Sequence, residues 1–283
     1  MLNGCAYILT VDVGNTFIRF GLFAEDSAAA QECPLATCEI TTPSSITADE
    51  ARMRLAQVMG ALSADAGMPG ALVPAAAVLS CVVPALERPW KAALSRTCTG
   101  RVLTVGPGLK TGMPVHYDDP AEIGPDRIAD AVAARAVYGS PCIVIDLGTT
   151  TNIEVIDARG TFVGGVIAPG LALGARSLSA AAARLPQVEP SAPTHVIGRN
   201  TREAMRSGVV LGEVARIDGM LDMVLAEMRA TKAAGEGGVP IVITGDDAEA
   251  LAALVGHSLT VDDALTLRGL AELYRINQKP RRA

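Results

Sequence analysis

The sequence predicts an α/β fold that contains two similar units. Two loops carry this prediction: an apolar run at residues 7–11 leads into Asp12-Val13-Gly14-Asn15-Thr16, and residues 142–145 lead into Asp146-Leu147-Gly148-Thr149-Thr150. Strand patterns also alternate with helix patterns in both halves of the chain. One Asp-x-Gly loop is common in turns, but two at matching strand ends indicate a duplicated unit that holds a nucleotide between its copies.

The residue types of these loops suit phosphate binding. An Asp at the end of a strand can hold a metal ion or its water shell. Gly14 and Gly148 lack a Cβ and tolerate positive φ, which lets a phosphate approach the backbone. Backbone N–H groups and the Thr hydroxyls of the turn can then donate to phosphate oxygens.

The first half has the element order β-β-β-α-β-α-β, which is that of a ribonuclease-H-like unit. Alternating apolar residues indicate the strands, and apolar residues at helical spacing indicate the helices. After the opening strand we predict strands at 17–23 and 38–42, a helix at 47–62, a strand at 76–83, a helix at 87–95 and a strand at 101–105.

The second half repeats the opening of this order. We predict strands at 143–145, 152–157, 161–167 and 240–245, helices at 171–185, 201–228, 248–254 and 265–276, and a loop at 235–238. The boundary falls near residues 138–141, so the predicted domains are residues 1–139 and 140–283.

Composition excludes several classes of protein. The chain has 283 residues, a net charge of −6 and no basic run, which argues against nucleic acid as its main partner. The most apolar later stretch, residues 71–86, contains Pro74 and Pro84 and is shorter than the ~20 residues of a membrane span. None of the six cysteines forms a C-x-x-C pair, so we expect reduced thiols and a cytoplasmic location.

The segment before the boundary, residues 117–127, is dense in groups that can do chemistry. Gly124-Pro125 predicts a turn, and Asp126 and Arg127 open a helix that runs to residue 137. Asp126 has two readings: a carboxylate that interacts with the helix dipole, or a general base. Tyr117 can belong to the core or line a ligand, and its position does not decide.

These motifs together resemble the type III pantothenate kinases. The resemblance covers nearly the whole chain, and the combination is far more specific than any one motif. The matching segments are Asp12–Thr16, Ser80–Pro84, Gly124–Arg127, Asp146–Thr150, Gly165–Gly170, Leu185-Pro186, Gly198–Thr201 and Leu265–Leu270.

The resemblance implies an actin-like kinase fold, with two ribonuclease-H-like domains and the active site in the cleft between them. It implies ATP-dependent phosphorylation of pantothenate to 4'-phosphopantothenate, the first step of coenzyme A synthesis. It also implies Mg²⁺, a monovalent cation (K⁺ or NH₄⁺), and a homodimer with its active sites near the subunit interface.

The resemblance further implies roles for individual residues. Asp126 is the proton acceptor for the primary hydroxyl of pantothenate, Asp146 binds the monovalent cation, and Asp12 lies near Mg²⁺ and contacts it through water. The ATP-binding residues are Asp12, Val13, Gly14, Asn15, Thr16, Phe17, Ile18, Arg19 and Thr149. The pantothenate-binding residues are Tyr117, Gly124, Pro125, Asp126, Arg127 and Thr201.

Arg127 suits the pantothenate carboxylate because a guanidinium can bind a carboxylate with two hydrogen bonds. The alternative for Arg127 is a surface ion pair.

Three positions depart from the family pattern. Pro125 stands where the family usually has Ala, the second loop continues as Thr150-Thr151-Asn152, and Asp246 replaces a second Gly after Thr244-Gly245. We expect these changes to affect nucleotide affinity more than fold or substrate class. They motivate one alternative, a non-catalytic regulatory or binding protein on the same fold. A sugar kinase of the same fold explains the motifs less well.

Overall fold

The computed structural model describes residues 6–26, 31–68, 70 and 72–278. These residues form two compact units. The first contains the described residues up to Val137 together with those from Ala264 onward, and the second is Tyr138–Asp263. Cys5, one of the six cysteines of the sequence, lies outside the described residues.

The sheet of the first unit has five strands in the order β3-β2-β1-β4-β5. The first three strands pair antiparallel, and β4 and β5 continue the sheet in parallel on the other side of β1. The strands are β1, Tyr7–Val13; β2, Phe17–Ala24; β3, Ala36–Thr41; β4, Ala76–Cys81; and β5, Val102–Thr104.

Local sequence signals explain where the helices of this unit begin. Thr47 and Glu50 form a capping box, in which each side chain accepts a hydrogen bond from the other residue's backbone N–H. Proline occupies the first position of the next two helices, where its missing N–H costs nothing. The helices are α1, Ala48–Asp65; α2, Pro84–Thr97; and α3, Pro125–Tyr138.

The sheet of the second unit has the order β10-β9-β6-β7-β8. Read from the other edge, this is the topology of the first sheet, with a central strand between an antiparallel hairpin and two parallel strands. The strands are β6, Cys142–Leu147; β7, Thr150–Ile156; β8, Phe162–Pro169; β9, Ile241–Gly245; and β10, Thr260–Val261. The prediction of two ribonuclease-H-like units is confirmed, and β10, absent from the sequence prediction, completes the second.

The helices of the second unit differ from the prediction in two places. The helix predicted at 171–185 ends at Ala181, and the helix predicted at 201–228 is interrupted by a π-helical turn, Ser207–Leu211. Gly208 lies within this turn and Gly212 directly follows it, and the Ser207 hydroxyl donates to Val196 O at 2.5 Å. The helices are α4, Leu171–Ala181; α5, Thr201–Arg206; α6, Gly212–Ala230; and α7, Ala248–Ala252.

The last helix, α8 (Leu265–Ile276), packs in the first unit, whereas the sequence prediction placed it in a domain of residues 140–283. Its Leu267 and Ala271 are buried against Ile8 and Phe23 of the first sheet. The prediction assigned residues to domains by their order along the chain. In the structure, α8 belongs to the first unit because its side chains are buried there.

A search of the described helices for a membrane span is negative: none is both long enough and apolar enough.

Candidate active site

The first phosphate-type loop connects β1 to β2 and is tightly held. Gly14 N–H donates to Phe17 O at 3.0 Å, and the Thr42 hydroxyl donates to Gly14 O at 2.8 Å. Asn15 and Thr16 are exposed, so their polar groups can reach a ligand. The flanking Val13 and Ile18 bury their side chains in the core, which leaves only their backbone groups for contact with a ligand.

What sets the glycines of the two loops apart is the absence of a Cβ, not an unusual φ angle. Gly14 and Gly148 do not have positive φ, so that part of the sequence argument is wrong. A Cβ on Gly14 would lie 3.0 Å from Phe17 O, whereas a Cβ on Gly148 would meet Thr150 O only at 3.8 Å. There is therefore room beside Gly148, whereas at Gly14 the Phe17 carbonyl oxygen already limits the space, so a side chain at residue 14 would disturb the loop.

Asp12 is a buried carboxylate at the end of β1. Its Oδ1 has no hydrogen-bond partner among the described residues. Burial and the nearby charge of Asp126 raise the pKa of Asp12 to about 6, and the Ser80 hydroxyl and the Arg19 guanidinium, which face it from the adjacent strands, lower it. A buried carboxylate oxygen without a hydrogen bond suits a cation or its bound water.

Asp126 occupies the second position of α3, after Pro125 at the first. Its Oδ1 accepts a hydrogen bond from Arg127 N–H at 2.9 Å. Burial raises the pKa of Asp126, while its backbone hydrogen bonds and the Arg127 charge lower it. The fold thus brings together two carboxylates, Asp12 and Asp126, that are far apart in sequence, and burial shifts both toward stronger bases.

Gly124 is required by the position of the Asp126 carboxylate. A Cβ at residue 124 would lie 2.4 Å from Asp126 Oδ1, so any larger side chain displaces the carboxylate. Pro125, one of the departures from the family pattern, is compatible with the helix start because its fixed φ suits the first helical position.

The structure excludes a surface ion pair for Arg127, and it does not decide whether Tyr117 belongs to the core or lines a ligand. Arg127 is only 5% exposed, so the alternative of a surface ion pair is wrong. Tyr117 is half-buried in the loop before α3. Asp119, which the sequence read as a turn former, accepts from Ala121 N–H at 2.9 Å and starts a short 3₁₀ turn, Pro120–Glu122.

Asp146 lies at the corresponding strand end of the second unit. Gly245, at φ 89°, ends the adjacent β9, and a Cβ there would lie 2.8 Å from Asp146 Oδ1 and 2.1 Å from Leu147 O. The missing side chain at residue 245 therefore lets β9 pack closely against Leu147 and the Asp146 carboxylate. Asp246 follows it and donates its N–H to Leu147 O at 2.6 Å, so this departure from the family pattern lies beside the second loop.

Within the described ranges, no three His, Cys, Asp or Glu side chains are grouped closely enough to hold a metal ion. Each strand-end carboxylate, Asp12 and Asp146, therefore needs backbone oxygens, water or a ligand's own oxygens to complete a cation site. Both Mg²⁺ and larger hard cations accept such oxygen ligands.

Gly170 supports the second loop from the end of β8. Its N–H donates to Thr149 O at 3.0 Å, and a Cβ on it would lie 2.2 Å from Gly148 O. This contact explains the glycine of the Ala168-Pro169-Gly170 motif, which the sequence analysis matched to the family without a physical reason.

The segment Gly198–Thr201 forms the start of α5. The Asn200 side chain accepts from Glu203 N–H at 3.0 Å, and Arg199 N–H donates to Glu203 Oε2 at 2.8 Å. Thr201, the first residue of the helix, is exposed and its hydroxyl is accessible to a ligand.

Sequence reasoning missed the roles of Ser80, Gly170 and Gly245. Each supports a strand-end carboxylate or a loop from a neighbouring strand. All three lie within or beside matched motifs, and that match is the only signal that could have pointed to them.

Comparison with known proteins points to one family. The model of the type III pantothenate kinase family matches residues 8–223. The type III pantothenate kinase of Koribacter versatilis (strain Ellin345) is 37% identical over 275 residues, which cover 96% of either chain. The type III pantothenate kinase 2 of Symbiobacterium thermophilum is 40% identical over 275 residues, which cover 96% of this chain and 97% of that one.

Among solved structures, the ROK hexokinase of Thermus thermophilus superposes with a TM-score of 0.50. The two chains are 13% identical, and the match covers 96% of this chain and 100% of the hexokinase. At this identity the likeness concerns the fold, and it agrees with an actin-like kinase architecture.

Proposed function

The chain belongs to the type III pantothenate kinase family, and we propose how its residues carry out the phosphorylation of pantothenate by ATP in coenzyme A synthesis. The observation that carries the proposal is a pair of carboxylates in the first unit, the buried Asp12 and the half-buried Asp126, whose charge raises the pKa of Asp12. One of them can accept a proton while the other faces a cation. The chain keeps the three carboxylates Asp12, Asp126 and Asp146, which argues against the non-catalytic alternative.

We propose that Asp126 removes the proton of the primary hydroxyl of pantothenate. Arg127 N–H orients the carboxylate through Oδ1, and Oδ2 accepts the proton as the phosphoryl group arrives. Burial raises the pKa of Asp126, which makes it a stronger base than an exposed Asp. The buried Arg127 guanidinium pairs with the pantothenate carboxylate, and Tyr117, Gly124, Pro125 and Thr201 complete the contacts.

We propose that Asp12 holds Mg²⁺ through the ion's water shell, because its Oδ1 is buried and without a hydrogen bond in the described part of the chain. Bound Mg²⁺ neutralises charge on the phosphates of ATP. The loop of residues 12–19 and Thr149 donate backbone N–H groups and hydroxyls to the phosphates. This chain has no P-loop Lys, so such donors and cations supply the positive charge.

A coupled ADP-release assay tests the overall proposal. We expect ADP release that depends on pantothenate and on ATP. Release with a hexose but not with pantothenate would support the sugar-kinase alternative, and no release with ATP binding intact would support a binding protein.

Activity is expected to need a monovalent cation at Asp146. The motivation is a carboxylate at the end of β6, beside a phosphate-type loop that contains no Lys. Replacing K⁺ by Na⁺ at constant ionic strength should lower the rate sharply in the native protein. Asp146→Ala should be impaired in K⁺ and respond little to the exchange. Equal rates of the native enzyme in K⁺ and Na⁺ would contradict this role.

We propose a homodimer that associates through the second unit. Its helix α4 buries only Ala175, and large apolar side chains of the same unit are exposed, among them Ile167 at 60% and Ile197 at 83%. Exposed apolar side chains of this size can serve a protein interface. The small side chains of α4 allow close packing.

Light scattering at micromolar concentration should give twice the 29.1 kDa mass of the chain. Ile197→Asp should shift the mass toward the monomer. A matched change in the first unit, Met53→Asp at a 64% exposed position, should leave the dimer intact. A monomeric native protein would contradict the proposal.

We also propose that the enzyme acts in the cytoplasm, where ATP is available. The cysteines of the described ranges, Cys33, Cys38, Cys81, Cys98 and Cys142, are free thiols, as a reducing compartment allows.

A further inference from the structure

A buried carboxylate in the second unit belongs to no motif discussed so far. Glu213, in the first turn of α6, accepts a hydrogen bond from the Thr151 hydroxyl at 2.6 Å. Arg216, one turn further along, forms an ion pair with Glu213 and donates to Pro169 O at 2.5 Å. Each oxygen of the Glu213 carboxylate thus has a partner: the Thr151 hydroxyl for Oε1 and the Arg216 guanidinium for Oε2.

These contacts tie together the two strand ends that flank the second phosphate loop. Thr151 is the second residue of β7, directly after the loop, and Pro169 ends β8, where it pairs with Thr150. The next residue, Gly170, donates to Thr149 O within the loop. Glu213 therefore connects to the loop on both sides, through Thr151 and through Arg216 and Pro169.

The π-helical turn Ser207–Leu211 accounts for the direction of Glu213. It lies directly before α6, and a π turn adds one residue, which rotates the following helix by about 100°. Without it, a continuous helix from Thr201 would present a different face to β7. Such turns are frequent at functional sites because they redirect a side chain at the expense of helix geometry.

We propose that Glu213 is a positioning residue for ATP: it sets the geometry of the loop Gly148-Thr149 through Thr151 and Arg216. This inference rests on the proposed function of Thr149 in ATP binding. Because Glu213 acts on the loop and on no part of the pantothenate contacts, its loss should raise the KM for ATP and leave the KM for pantothenate unchanged.

A buried ion pair that only stabilises the unit is the competing explanation, and the chain contains a matched control. Glu272 in α8 is also buried and also pairs with an arginine three residues later, Arg275, but it lies in the first unit. Glu272→Gln therefore makes the same chemical change in the same type of pair, in the unit that does not contain the second loop.

The test compares Glu213→Gln, Thr151→Val and Glu272→Gln by steady-state kinetics, by fluorescence titration with a labelled ATP analogue, and by Tm. We expect Glu213→Gln and Thr151→Val to raise the KM for ATP and the Kd of the analogue about 3- to 10-fold, the range of one lost hydrogen bond. Glu272→Gln should lower the Tm and leave both constants unchanged.

Glu213→Gln and Thr151→Val that change only the Tm would overturn the proposal, as would an equal rise in both KM values. If Glu213→Gln does not fold, the nearly isosteric Thr151→Val decides alone. Thr149→Ala tests the role of the second loop in ATP binding separately from the positioning role of Glu213. If it leaves ATP binding unchanged, the proposed role of the second loop fails, whereas an effect of Thr149→Ala without one of Glu213→Gln overturns only the positioning role.

Discussion

Asp126→Asn is expected to lower kcat by about 10²–10⁴-fold, the usual contribution of general base catalysis. The asparagine keeps the shape of the side chain and can still accept a hydrogen bond from Arg127 N–H, but it cannot take a proton. The variant should therefore fold and bind ATP and pantothenate with nearly native affinity. Steady-state kinetics together with titration of both substrates measures this separation.

Asp119→Asn is the matched control, since it makes the same change at an exposed turn seven residues earlier and should leave kcat nearly native. The charge of Asp126 also raises the pKa of Asp12, so Asp126→Asn should lower the pKa of Asp12 in an NMR titration. A near-native kcat with a raised KM would show that Asp126 positions the substrate instead.

The pH profile of the native enzyme is a second test of Asp126 as the general base. Because burial raises the pKa of Asp126, its basic form is lost as the pH falls through that raised value. The acid limb of kcat/KM should therefore lie above pH ~4, the ordinary range of Asp.

Gly269→Ala is expected to destabilise the protein by about 3 kcal/mol, at the upper end of the usual cost of overpacking. A Cβ at residue 269 would lie 1.9 Å from Ala129 O, a backbone atom of α3 that cannot rotate away. Helix α8 would have to move away from α3 and from the first sheet. Chemical denaturation measures the loss as a lower midpoint.

Gly60→Ala in α1 is the control for this change, because no described atom beyond the helix's own neighbouring backbone lies within 4 Å of a Cβ there. It should stabilise the protein by up to about 1 kcal/mol through helix propensity alone. Equal midpoints for Gly269→Ala and the native protein would show that α8 and α3 do not pack this closely.

The sequence alone determined the element order and the duplication. Alternating and helical apolar spacing identified β1–β9 and the main helices, because these patterns follow from the burial of one face of each element. The two Asp-x-Gly loops located Asp12 and Asp146 at strand ends, because a polar residue that follows a buried strand marks its end.

Only the tertiary structure decided which groups meet. The two-residue β10 exists because β9 offers it a partner, and α8 joins the first unit because its apolar face fits that sheet. The charge coupling of Asp12 with Asp126 and the link from Glu213 to the second loop join residues whose spacing along the chain carries no pattern. Such contacts depend on packing between distant elements, whereas sequence periodicity reports only the environment of each element alone.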